Sequence, residues 1–290
     1  MHKPETETIK KQSQFRETMK RLCKDKLAVV GMIIFVIYIL FAVLAPVLTP
    51  YNYAEFNLAE KNQMPSAAHW CGTDNYGRDI LTRLLVGTRY SLGIGLGAVA
   101  LGLVFGVILG CLAGYFGGWV EELIMRFGDL MQAIPSMLLM ITLVNIMKPT
   151  TFNLIIAMSI SGVPSIARIV RGQMLSVMRN EYVEAVRGMG ASGVRIVVKH
   201  VLPNAISPLI AQIVSSVAGE ITMISTLSYI GLGVQQPAPE WGSMLAAGQQ
   251  FIRDQPYLTI FPGLAIVITI ISLTLMGDGL RDALDPRMKR

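Results

Sequence analysis

The stretch EYVEAVRGMGASGVRIVVKHVLPN, residues 181–204, is a short charged interlude between long apolar runs. It is too polar for lipid, and its pattern is helical. Asn180 is a suitable N-cap for a helix opening at Glu181. Tyr182, Val186 and Met189 then recur near one face, with Glu184 and Arg187 directed elsewhere. Gly190 stands where a helix takes its left-handed terminator. Ser192 is placed to cap a second helix, which Pro203 is expected to end just after Leu202. The spacing predicts a helix-turn-helix held against a membrane, with an apolar face free for docking.

The flanking sequence supplies the membrane. Of the 290 residues 52% are hydrophobic and 15% charged, and mean hydropathy is +0.52. Soluble domains carry about 25% charged residues. Segments 27–48, 90–116 and 257–277 contain no charged residue, and 208–234 contains only Glu220. Each is long enough to cross a hydrocarbon core about 30 Å thick. Two weaker runs, 123–147 and 152–170, carry Pro135 and Pro164. Barrel strands would alternate in polarity over about ten residues, so these runs are helices. The expected fold class is all-α, a polytopic membrane protein with six transmembrane helices.

Six spans place both termini on one side, and basic residues choose it. Nineteen of the 25 Lys and Arg fall in 1–26, 121–126, 168–199 and the tail after Asp278. That face is expected to be cytoplasmic, and the 181–204 hairpin with it. The resulting plan has a cytoplasmic N-terminal segment (1–26), a first transmembrane helix (27–49) and an extracytoplasmic loop (50–89). A five-helix core (90–277) follows, with the hairpin inside a coupling loop at 171–205, and then a cytoplasmic tail (278–290). Residues 1–21 read as polar and frayed. The first span is longer than a signal-peptide core, and a candidate cleavage site after Ala45 runs into Pro46, so it reads as an uncleaved anchor. The net charge of +6 reports topology and gives nucleic-acid binding no support.

The chemistry-bearing residues are few. Cys23, Cys71 and Cys111 fall in different compartments, and His2, His69 and His200 are scattered, so neither disulfide nor metal site is expected. No phosphate-loop, HExxH or nucleophile motif occurs, and the chain is not expected to hydrolyse ATP itself. The turn formers of HWCGTDNYGRD (69–79) indicate a folded loop. Glycines at 102, 106, 110 and 114 form a small-residue ridge for close helix packing. Arg126 and Asp129 are spaced to neutralise each other. Glu220 is the acid deep in an apolar run. A charge there costs about 2.5–3.5 kcal/mol, so it should face a cavity or a partner. It reads as a contact on a translocation path, as a proton carrier, or as a packing group bonded to Ser215, Ser216, Thr222 or Ser225.

The hairpin resembles the EAA loop of ABC importer permeases. Glu184, Ala185 and Val186 are followed at the family spacing by Gly190 and then by His200, Val201, Leu202 and Pro203. Val186 replaces the second alanine and His200 the isoleucine. GTDNYGRDILTRLLVG (72–87), AGYFGG (113–118), LSYIGLGVQQPAPEWGSML (227–245) and GDGLRDALDPRMK (277–289) are similar to the dipeptide/oligopeptide/nickel branch, dipeptide permease C type.

The resemblance implies a type I ABC importer permease in a bacterial inner or plasma membrane. Its implied partners are a homologous second permease, two ATPase subunits that bind the ATP, an extracytoplasmic substrate-binding protein and membrane lipid. It implies ATPase coupling through Glu184, Ala185, Gly190, Leu202 and Pro203, and no cofactor in this chain. Small peptides are the implied cargo. The alternatives are nickel or a metal chelate carried by the same kind of permease and, in another class, a proton-coupled secondary transporter using Glu220.

Overall fold

Residues 14–284 are described by a computed structural model, and their long elements are all helices. In chain order these are α1 (Gln14–Leu22), α2 (Lys26–Leu48), α3 (Ile80–Phe116), α4 (Gly118–Ala133), α5 (Ser136–Met147), α6 (Thr151–Met178), α7 (Glu181–Gly188), α8 (Gly193–Ile196), α9 (Leu202–Tyr229), α10 (Trp241–Gln249) and α11 (Tyr257–Leu284). Five helices are long and apolar enough to cross a membrane: α2, α3, α6, α11 and the Leu209–Tyr229 part of α9. The sixth expected span is broken, because α4 and α5 meet at a 91° bend. Ile134 is extended (ψ 127°) ahead of Pro135, since the proline ring disfavours a helical residue before it. Pro164 leaves α6 continuous and packs on Gly128 of α4.

The glycine ridge fixes the centre of the molecule. A Cβ on Gly106 would lie 2.6 Å from Ile166 Cβ, one on Gly110 2.6 Å from Val170 Cβ, and one on Gly114 2.6 Å from Met174 Cβ. The pairing advances together on both helices, so α3 and α6 run parallel. The α4–α5 pair therefore carries the chain back from the end of α3 to the start of α6. It crosses once in two pieces. Helix α11 lies antiparallel to both α2 and α9: Gly31 sits on Ser272 and Gly279 on Ala28, and Gly277 sits on Ser215.

Several boundaries differ from the sequence expectation. Residues 14–22 are helical, and Leu22 is buried with Ala28 and Ala283. Helix α3 begins ten residues earlier than the 50–89 loop allowed, because the Asp79 carboxylate caps it by accepting from Thr82 N–H at 2.7 Å. The helix of the last span runs on to Leu284, through the start of the expected tail. Residues 1–13 of the N-terminal segment and 285–290 of the tail lie outside the described residues.

The 50–79 loop packs on the end of the bundle where α3 and α11 begin. Asp74 accepts from Arg78 Nε at 2.7 Å and lies 3.7 Å from Arg83 Nε. Arg78 also donates to Gln236 at 2.9 Å, and Arg83 to the Tyr53 carbonyl at 2.8 Å. His69, isolated in sequence, lies 2.9 Å from Asp79 and 3.4 Å from Glu60. These buried pairs make the loop a folded unit. Arg126 pairs with Glu122 and Asp129 with Arg168, in place of the expected Arg126–Asp129 pair. Glu122 lies one turn before Arg126 on α4, and Arg168 reaches Asp129 from α6 at 2.6 Å.

Candidate functional site

At the opposite end of the bundle, α7 opens at Glu181 as the sequence indicates. The Asn180 side chain makes no capping bond, and its backbone carbonyl accepts from Val183 N–H at 2.9 Å. The helix closes on a Schellman turn: Gly190 N–H donates to Arg187 at 3.0 Å and Ala191 N–H to Val186 at 3.3 Å. Gly190 has φ +80°, a left-handed conformation that favours glycine, and open space lies around it. Val183 and Ile196 turn inward onto Val170, Met174 and Val177. Glu184 and Ala185 face outward, as do Met189 (77% exposed) and Val194 (76%). The exposed side of the hairpin thus combines charged side chains, Glu181, Glu184, Arg187 and Arg195, with small and apolar ones.

Pro203 does not end the second helix. From α8 the backbone passes through a π-helical turn, Val197–Val201, directly into α9. Leu202 N–H donates to Val197 five residues back, and Pro203, which has no N–H to offer, occupies the first turn of α9. A proline in that position removes a bond the first turn does not need. Leu202 is half-buried and Pro203 exposed. The second arm of the hairpin and α9 are one continuous rod, with α7 joined to it by the turn at Gly190.

Glu220 lies further along that rod, about 27 Å from Leu202 at 1.5 Å per residue. The structure therefore separates Glu184, Ala185 and Gly190 from Glu220 and places Leu202 and Pro203 at the start of the helix that carries it. Glu220 lines a cavity of about 310 Å³ between α3, α5, α6 and α9. Gln212, Ser216 and Glu220 recur every fourth residue on one face of α9, opposite Ser161 and Ser165 of α6 and Ser136 of α5. Gln212, Ser165 and Ser136 are exposed, so the cavity reaches the protein surface.

One carboxylate oxygen of Glu220, Oε2, is buried without a hydrogen-bond partner. Of the hydroxyls expected to fix it, Ser215 donates to Ala211 at 3.3 Å and Thr222 to Ala218 at 3.0 Å, while Ser225 Oγ is itself buried without a partner. Two basic residues of α6 between Glu220 and the hairpin are paired with acids of α4, Arg168 with Asp129 and Arg171 with Glu121. The sequence singles out Glu220, with Ser216 only as a packing partner, and Gln212 is missed. Their four-residue spacing was the available signal.

Residues 106–290 match the family of binding-protein-dependent transport system inner membrane components. Residues 13–65 match the N-terminal transmembrane domain of oligopeptide transport permease C. The dipeptide transport system permease protein DppC of Alkalihalophilus pseudofirmus is 45% identical, over 96% of this chain and 91% of its own. The oligopeptide transport system permease protein OppC of Bacillus subtilis is 41% identical over 96% and 91%. Among solved structures, an inward-facing MetNI methionine ABC transporter chain is similar in fold. Its TM-score is 0.58 over 71% of this chain and 98% of its own, at 19% identity. With its bundle of crossing helices, its hairpin and these matches, the chain belongs to the family of binding-protein-dependent transport system inner membrane components, with the fold of a type I ABC importer permease.

Proposed function

We propose that this permease is one of two related membrane subunits of an ATP-driven importer of small peptides, and that it has no ATPase activity of its own. Two ATPase subunits dock on the cytoplasmic loops of the two permeases, in this chain the 181–204 hairpin, and an extracytoplasmic binding protein delivers cargo at the end formed by the 50–79 loop. The excess of basic residues at the hairpin end, where α1 and the end of α11 also lie, supports a cytoplasmic orientation for that end. The names of the relatives, which are dipeptide and oligopeptide permeases, support the cargo class.

In this reading Glu184 pairs with a basic residue in a groove of the ATPase, Ala185 lets the two backbones approach, and Gly190 reverses the chain. Leu202 and Pro203 begin the helix that carries the motion inward. The observation that carries the reading is the unbroken helical path from α8 to the cavity: a displacement of the hairpin is transmitted along α9 to the wall that holds Glu220. Glu184→Arg tests it in the complex reconstituted with its ATPase subunits and peptide-loaded binding protein. Peptide-stimulated ATP hydrolysis should fall about tenfold or more, as expected when one partner of an interfacial charge pair is reversed. Membrane insertion should be preserved. Unchanged stimulation would contradict the assignment.

A further inference from the structure

We infer that the cavity beside Glu220 is a transit site for the protonated amino terminus of the cargo. The inference rests on the peptide-importer reading and adds a specific recognition step to it. Glu220 Oε2 is buried, lines the polar side of a mixed cavity and has no donor among the described residues. A carboxylate in that position gains most from a donor that arrives from outside. Near the middle of a membrane its charge is tolerated where a counter-charge or water reaches it.

The rest of the wall narrows the chemistry of that donor. Gln212, Ser216 and Ser161 bring an amide and two hydroxyls to the same cavity. An ammonium group carries three donors and no acceptor, and one carboxylate with neutral oxygen acceptors suits it. A bare divalent cation needs several oxygen ligands with more charge than a single acid provides. A cargo carboxylate would be repelled by Glu220, and the lining residues of this chain include no cation to receive it. The peptide therefore passes amino end against α9. Because Gln212 and Ser216 continue the polar face toward the hairpin, the ammonium can move from Glu220 along α9 in steps of one helical turn.

The test uses the full complex in lipid, with Cys23, Cys71 and Cys111 replaced by serine or alanine and Ser216→Cys introduced as a reporter. Thiol-reactive methanethiosulfonates of similar size, one bearing an ammonium and one a sulfonate, are compared for their rates of modification. Electrostatic focusing in a low-dielectric cleft enriches counter-ions by about tenfold or more. The ammonium reagent should therefore outpace the sulfonate by about that factor, relative to a free thiol in solution. The preference should collapse in the Glu220→Gln background and return with Glu220→Asp.

Equal preference with and without Glu220 would overturn the inference, and so would a reporter that neither reagent reaches. A parallel measurement of dipeptide uptake by the wild-type complex separates the two levels. Failed uptake with intact charge preference would reject the peptide reading, whereas uptake without charge preference would reject the amino-terminus site.

Discussion

Glu240 shows how differently two buried acids can be used in one chain. It is wholly buried (0% exposed) and caps α10, accepting from Ser243 N–H at 2.9 Å and from the Ser91 hydroxyl at 3.1 Å. Burial pushes its carboxyl above the usual range, and the hydrogen bonds from Gly242, Ser228, Ser243 and Ser91 offset only part of that. An acid of this kind favours the fold fully below its unfolded pKa of about 4.3, and the contribution is lost as pH rises through the folded value. Thermal unfolding of wild type and Glu240→Gln should therefore diverge with pH, the variant gaining relative to wild type as pH rises above about 4. A difference in midpoint that stays constant with pH would contradict this. Glu240 was not legible in the sequence, because QQPAPEWG (235–242) has the composition of an exposed loop. Glu220 was legible because it interrupts an apolar run. Its lack of a partner was not, since that depends on where the hydroxyls of Ser215 and Thr222 point.

At the scale of elements, periodicity carried the reading and proline misled it. The ridge Gly102–Gly106–Gly110–Gly114 was visible from its spacing of four, and the structure places α6 on it at contact distance. Gly110→Ala should destabilise the bundle by about 1–3 kcal/mol, because the new Cβ would meet Ala167 O and Val170 Cβ at 2.6 Å. Gly93→Ala, whose Cβ would have nothing within 4 Å, serves as the control and should have little effect. Unfolding midpoints in detergent compare the two, and equal effects would argue against a packed seam. The prolines resisted local reading because their effect depends on position within a turn. Pro135 breaks a span, Pro164 is absorbed by Gly128, and Pro203 begins a helix that it was expected to end. In the last case the sequence does not reveal the π-helical turn at Val197–Val201, which re-registers the backbone before the proline.

For the whole molecule, six crossings, the hairpin and the folded 50–79 loop were legible from hydropathy, charge and turn residues. The parallel course of α3 and α6 and the cavity enclosed between helices were not, because both arise from packing partners far apart in the chain. The central claim is mechanical: hairpin and α9 move as one body, so that work done on the exposed face of α7 and α8 reaches the cavity wall at Glu220. The joint is the π-helical turn, where Val198 is 57% exposed and Lys199 is also exposed, so that both can be replaced with little loss of core packing. Two glycines there, Val198→Gly with Lys199→Gly, would soften the connection while leaving the docking face intact, each costing helix propensity of about 1 kcal/mol. The direct measurement is the number of peptides imported per ATP hydrolysed by the reconstituted complex. The account predicts that hydrolysis continues to respond to loaded binding protein while import per ATP drops several-fold. An unchanged ratio would show that the hairpin drives transport without a rigid α9.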